Sequence, residues 1–142
     1  MLGKGRAMRK IMVIDDDPNV VDIVQQALGF AGYKVVAMTS TSSVMQRVLE
    51  EDPALILLDL MMPALDGWQV LEMLQSHPRT AHTPVVILTA AVHSLPDIQS
   101  YYGGAIKGCV TKPFAIDDLV LQVDGVLSQP TEGDEIGLAA DL

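Results

Sequence analysis

Short runs of Val, Ile and Leu alternate along this chain with longer stretches whose apolar residues stand three or four apart, and that alternation restricts the fold more than any other feature. The short runs are Ile11 to Ile14, Lys34 to Met38, Ala54 to Leu58, Val85 to Leu88 and Cys109 to Thr111. Between them, Val21, Val24 and Leu28, then Val44 and Val48, then Trp68, Leu71 and Leu74 each mark a helix face, and Ile116, Leu119, Val123 and Leu127 close the series. Strands that are apolar at consecutive positions are buried on both faces, which suits a parallel sheet covered by helices on either side. Right-handed crossovers then give a doubly wound α/β domain of five parallel strands and five helices. Asp17 and Pro18 supply an N-cap and a first-turn residue for the first helix, and Gly32 supplies its stop. The fourth helical segment, HSLPDIQSYYGGAIKG, is the weakest, because Pro96 can only open a helix while Gly103, Gly104 and Gly108 oppose continuing one.

A chain of 142 residues is long enough for one domain with one core. No apolar run approaches the roughly 18 residues of a membrane span. Nothing resembles a secretory leader, and the single cysteine, Cys109, cannot form an internal disulfide, so a cytoplasmic protein is expected. The net charge is -9, with Lys4, Arg6, Arg9 and Lys10 at one end and Glu132, Asp134, Glu135 and Asp141 at the other. These ends cancel, so the body keeps the whole charge of -9. Direct binding to DNA through its phosphates is not expected of such a body; cations and basic protein surfaces suit it better. Residues 1–8 read as a flexible basic extension, 9–127 as the folded domain, and 128–142, SQPTEGDEIGLAADL, as a flexible acidic tail.

In open parallel sheets the chemistry lies at the carboxyl ends of the strands. Asp15 and Asp16 follow the first run, Asp59 follows the third in LILLDLMMPALDG, Thr89 ends the fourth in VVILTA, and Lys112 follows the fifth in VTKPF. Carboxylates converging at one edge raise each other's pKa unless a cation offsets them, and Mg2+ is a hard ion that prefers oxygen ligands and retains sites for phosphate oxygens. With the cation in place, an Asp oxygen can accept a phosphoryl group, and the Thr89 hydroxyl and Lys112 ammonium can hold the other phosphoryl oxygens. Asp17 is left to cap the helix. Taken singly, each residue has an ordinary explanation as a cap, a turn former or a loop residue. Four such residues at four strand ends, in this order, point to one site.

These residues resemble the receiver domains of bacterial two-component response regulators over roughly residues 9 to 127, on the strength of DDD, LLDLMMPALDG, LTA and TKPF. The resemblance implies a flavodoxin-like fold with strand order 2-1-3-4-5, acting as a stand-alone phosphorylation-dependent switch rather than an enzyme. It implies Asp59 as acceptor from a histidine kinase or histidine phosphotransfer protein. Mg2+ would be held by Asp16, Asp59 and the Met61 carbonyl, with Asp15 assisting through water. Thr89 and Lys112 would sense the phosphoryl group, Ala90 would leave room for its donor, and the Lys112–Pro113 bond would be cis. A downstream protein would read the signal, with the chain a monomer or weak homodimer and no membrane involved. Two departures stand out: Cys109 replaces the aromatic residue usual three positions before the lysine, and GGAIKGCVTKPF is one residue longer than the usual path, so remodelling is expected around the fourth helix. Both fall on the surface receivers commonly use for output.

The remaining reactive side chains read as structural. His77, His82 and His93 lack metal-ligand spacing, Cys109 packs at a sheet edge, Trp68 covers core, and the eight methionines fill core gaps. The rival readings are a receiver-like docking module that no longer switches, an aspartyl-phosphate hydrolase and a flavin-binding domain. The hydrolase lacks a second carboxylate at Met61, two positions after Asp59, and the flavin phosphate would meet three carboxylates.

Overall fold

The computed structural model describes residues 8–39, 43–62, 67–90 and 106–128. Five parallel strands, β1 (Lys10–Ile14), β2 (Lys34–Met38), β3 (Leu55–Leu58), β4 (Val85–Thr89) and β5 (Ile106–Thr111), form one sheet in the order β2-β1-β3-β4-β5. Four helices belong to the described residues: α1 (Pro18–Phe30), α2 (Val44–Glu51), α3 (Gly67–Ser76) and α4 (Ile116–Ser128). The helical segment expected between β4 and β5 lies outside the described residues, as do residues 1–7 and 129–142 of the two expected extensions. Ser128, assigned to the tail from sequence, ends α4 instead, its hydroxyl donating to the Asp124 carbonyl one helical turn back at 2.6 Å.

Alternation of side chains along each strand divides the core in two. Met12, Ile14, Ile56, Leu58 and Ile87 pack with Val44 and Val48 of α2 and with Val70, Leu71 and Leu74 of α3. Ile11, Val13, Leu55, Leu57, Val86 and Leu88 face the other way, onto Val21, Val24 and Leu28 of α1 and Leu119 and Val123 of α4. The inner strands are therefore buried almost throughout, and each fully buried Leu or Ile contributes roughly 1.5–3 kcal/mol relative to exposure. Asp17 caps α1 as expected, accepting a hydrogen bond from the Asn19 N–H, with Pro18 as the first helical residue. Gly32 takes φ 104°, a left-handed conformation natural to glycine, and turns the chain into β2.

Three expectations need correction. Ile116 does not join the buried stripe of α4 but is exposed as the first residue of the helix. The methionines divide: Met12, Met38 and Met62 are buried, whereas Met8, Met61 and Met73 are exposed. β5 begins at Ile106, three residues before the apolar run, because it is an edge strand in which Lys107 is exposed and Gly108 and Cys109 are half-buried.

The pairing of β4 with β5 absorbs one added residue. Val85 pairs with Ile106 and Val86 with Gly108, so Lys107 is bulged out; Ile87 through Thr89 then pair in step with Cys109 through Thr111. The extra length seen in GGAIKGCVTKPF is thus matched by a bulge upstream of Lys112, and the Lys112 N–H donates to the Thr89 carbonyl at 3.0 Å.

Candidate functional site

Strand register brings the polar strand ends together. Ile14 pairs with Leu58, and Leu58 with Ile87, so Asp15 and Asp59 emerge side by side from β1 and β3. The Asp59 N–H donates to the Ile14 carbonyl at 3.0 Å and the Asp15 N–H to the Met38 carbonyl at 3.1 Å, fixing both backbones to neighbouring strands. Among the described residues four polar side chains are buried, and three of them, Asp15, Asp59 and Thr89, stand at this edge. The fourth, Thr80, donates its hydroxyl to the Leu74 carbonyl and serves a turn.

Each carboxylate is oriented locally. Asp59 Oδ1 accepts from the Met61 N–H at 3.0 Å, and Asp15 Oδ1 accepts from the Asp17 N–H at 2.9 Å. Their second oxygens face Lys112, whose ammonium lies 2.7 Å from Asp15 Oδ2 and 3.3 Å from Asp59 Oδ2. The shorter contact lies off good hydrogen-bond directions, so the buried Asp15 Oδ2 has an ion pair but no hydrogen bond. Burial raises the Asp59 pKa above the ordinary carboxylate value and the Asp15 charge adds to it, against the lowering effect of the Met61 N–H and Lys112. For Lys112, burial works to lower the pKa, but contact with Asp15 and the charges of Asp15 and Asp59 outweigh it and hold the ammonium above its ordinary value.

Asp16, open to solvent, completes the group: Asp15, Asp16 and Asp59 each offer an oxygen within 4.8 Å of the others. An all-oxygen, anionic donor set containing one buried oxygen without a hydrogen bond fits a hard divalent cation better than a soft metal. The residues expected at four strand ends are thus neighbours: Asp15, Asp16, Asp59 and Lys112 by direct contact or close approach, and Thr89 through its backbone bond to Lys112. Met61 contributes its N–H to Asp59 while its side chain is exposed. Ala90 is exposed beside Thr89, and the Lys112–Pro113 bond is cis.

One positioning residue went unassigned from sequence. A Cβ on Gly67 would lie 2.3 Å from the Asp59 carbonyl oxygen and 2.5 Å from Leu60 Cα, and the Gly67 N–H donates to the Leu60 carbonyl at 3.2 Å. Only a glycine lets the start of α3 press this closely on the backbone of Asp59. The DG pair of LLDLMMPALDG was the available signal.

The model of the response regulator receiver domain matches residues 11–124. The chain belongs to that family. This receiver is 37% identical over 120 residues to the DNA-binding dual master transcriptional regulator RpaA of Synechocystis, a match covering 84% of the chain and 49% of the relative. It thus spans about half the length of that curated relative, and a similar share of the Escherichia coli transcriptional regulatory protein HprR, to which it is 36% identical. Among solved structures, the response regulator TrrA of Thermotoga maritima in complex with Mg(2+)-BeF superposes with TM-score 0.72 at 25% identity, covering 83% of this chain and 98% of that one. Chemotaxis protein CheY4 of Vibrio cholerae shares the fold at TM-score 0.76 and 22% identity, over 84% and 99% of the two chains. The fold, with strand order 2-1-3-4-5, is that of flavodoxin-like receivers.

Proposed function

We propose that this receiver is a phosphorylation-dependent signalling switch in which Asp59 accepts a phosphoryl group from a histidine kinase or histidine phosphotransfer protein. The observation that carries the reading is the placement of the buried Asp59 carboxylate, grouped with Asp15 and Asp16 and 3.3 Å from the Lys112 ammonium. An Asp59 oxygen attacks the phosphorus of a phosphohistidine; the O–P bond forms as the P–N bond breaks, and the imidazole departs with the electron pair and takes up a proton. The Met61 N–H holds Asp59 Oδ1, which leaves Oδ2 on the Lys112 side as the oxygen to attack.

Asp15, Asp16, Asp59 and the Met61 carbonyl are the groups that would hold Mg2+, and the bound ion would neutralise and orient the phosphoryl oxygens. Lys112 moves from its contacts with Asp15 and Asp59 to the new phosphoryl oxygens, and the Thr89 hydroxyl binds another. Thr89 ends β4 and Lys112 stands between β5 and α4, so their rearrangement supplies a change that a downstream protein can read. The chain then acts as a switch rather than an enzyme turning over external substrates, within the cytoplasm, as a monomer or weak homodimer. Its acidic body does not favour direct contact with DNA phosphates.

A second reading rests on Cys109. A half-buried thiol stands where the family usually places an aromatic reporter of phosphorylation, and a thiol is too small to swing between inward and outward states in the same way. On this reading the chain is a receiver-like docking module that does not switch.

Intact-mass spectrometry after incubation with acetyl phosphate, with and without Mg2+, on the wild type and Asp59→Asn tests the first reading. One adduct that needs both Mg2+ and Asp59 is expected. An adduct of equal extent on Asp59→Asn would overturn the acceptor assignment. Unchanged shape and partner affinity after stoichiometric phosphorylation would favour the docking module.

A further inference from the structure

The last turn of α4 is the weakest part of that helix by composition. Gly125 costs roughly 1 kcal/mol relative to Ala in a helix, and a Cβ there would meet nothing within 4 Å, so packing does not require the glycine. The helix carries Asp117 and Asp118 in its first turn but no basic residue in its last, so its own sequence offers no cation to the carbonyls at its carboxyl end. Its two buried residues, Leu119 and Val123, both precede Gly125. A helix end of this kind frays unless other parts of the fold hold it.

Two residues from the amino-terminal side of the sheet hold it. Arg9 stands just before β1, and its guanidinium Nη1 donates to the Leu127 carbonyl at 2.9 Å, which supplies the missing positive charge and satisfies a carbonyl that has no partner within the helix. Tyr33 leaves the turn at Gly32, and its hydroxyl donates to the Asp124 carboxylate, three residues before Leu127 and on the same helix face. Both anchors stand on fixed backbone: the Tyr33 N–H donates to the Leu28 carbonyl at 3.0 Å and the Lys34 N–H to the Arg9 carbonyl at 2.9 Å. The Tyr33 ring packs against the same core cluster as Val126 and Leu127. Burial, the hydrogen bond to Asp124 and the Asp124 charge push the Tyr33 pKa up to about 12 against the opposing charge of Arg9, so the hydroxyl remains a donor at neutral pH. The action of Arg9 on Tyr33 also places both contacts in one cluster.

The other end of α4 is tied to the acidic site. Only Pro113, Phe114 and Ala115 separate Lys112 from Ile116, and Ile116, Asp117 and Asp118 are exposed. We propose that Arg9 and Tyr33 clamp the carboxyl end of α4 as a fixed pivot, so that a displacement of Lys112 swings the amino end of the helix while the last turn stays in place. The swing rests on the switch described under the proposed function; the clamp does not. Arg9 and Asp15 flank β1 at opposite ends, about 20 Å apart at the rise of an extended strand, so the clamp is remote from the phosphoryl chemistry. What a downstream protein reads is then the amino half of α4, whose position relative to the clamped end reports on Lys112.

Amide hydrogen exchange of the full chain, followed by NMR, tests the clamp. Tyr33→Phe keeps the ring and loses the donor, Arg9→Met keeps the length and loses the charge, and the double variant loses both contacts. The Val126, Leu127 and Ser128 amides are expected to exchange roughly threefold faster in each single variant and tenfold or more in the double one, with β1 and β3 unchanged. Asp124→Asn, whose amide oxygen still accepts from Tyr33, should stay close to the wild type. Equal acceleration in every element would mean a general loss of stability, and no acceleration in the double variant would mean that the last turn holds itself; either result overturns the clamp. With acetyl phosphate and Mg2+, amide shifts in the wild type are expected from Phe114 to Val120 and not from Asp124 to Ser128, whereas in the double variant they extend to Ser128. Equal shifts at both ends of the wild-type helix would overturn the pivot. A chain that gains no phosphoryl adduct by intact mass would fail the switch instead, and the exchange rates alone would then decide the clamp.

Discussion

The Lys112 ammonium sits between two buried carboxylates, 2.7 Å from Asp15 Oδ2 and 3.3 Å from Asp59 Oδ2, and is the positive charge that lets them share one edge of the sheet. Removing one partner of a buried ion pair leaves the other charge uncompensated. Lys112→Ala is therefore expected to lower stability by about 3 kcal/mol in the absence of divalent cation, read by urea denaturation. Added Mg2+ should restore much of the loss, because a cation can replace the ammonium as counter-charge, and the variant should bind Mg2+ while failing to transmit phosphorylation. Equal stability of variant and wild type in chelator would mean that the ion pair does not govern the site.

Asp59 carries a raised pKa from its burial and from Asp15, so the folded state binds its proton more tightly than the unfolded chain does. For a carboxyl group the sign is then fixed: this residue lends stability to the fold when protonated, and that contribution is lost as pH rises from the unfolded value through the higher folded one. Asp59→Asn removes the charge while keeping the shape. Its melting temperature should exceed that of the wild type at pH 7 without Mg2+, and the difference should close as pH falls below the ordinary carboxylate range. A difference independent of pH would assign the effect to packing.

Gly67 ties the start of α3 to the acceptor's own backbone, since a Cβ there would meet the Asp59 carbonyl oxygen at 2.3 Å. Backbone cannot step aside as the tip of a flexible side chain can. Gly67→Ala is expected to cost roughly 1–3 kcal/mol, as overpacking does, and to slow phosphorylation of Asp59 by acetyl phosphate beyond what lost stability explains. The rate measured well below the melting transition separates the two effects; an unaltered rate with lowered stability would leave Gly67 a purely structural residue.

Much of this architecture was legible from local pattern because apolar runs and helical spacing are local properties. The ends of buried parallel strands are likewise fixed once the topology is known, so the sequence already brings Asp15, Asp59, Thr89 and Lys112 to one edge. What escaped was decided by the path of the chain in space. Gly67 matters because the start of α3 presses on the backbone of Asp59, a contact that the DG pair marks only as a turn. Ile116 carries the period of a buried stripe yet stands exposed as the first residue of α4. The start of β5 was hidden because Ile106 and Gly108 pair with β4 around an unpaired Lys107, in an edge strand without an apolar run.

The bulge at Lys107 yields the last prediction. Since Val85 pairs with Ile106 and Val86 with Gly108, Lys107 has no partner of its own on β4. Removing it would let β5 pair one-to-one with β4, and everything from Cys109 to Lys112 could keep its register, including the Lys112 N–H to Thr89 carbonyl bond. Deleting Lys107 is therefore expected to change stability by no more than about 1 kcal/mol and to preserve Mg2+-dependent phosphorylation of Asp59. Deleting Val36, which pairs with Met12 in an unbroken ladder, should unfold the chain, because a one-residue slip turns every following side chain of β2 to the opposite face. Circular dichroism melts and intact-mass spectrometry of the two deletions decide the matter. Loss of phosphorylation in a well-folded Lys107 deletion would mean that the bulge itself aims Lys112 at the acidic site.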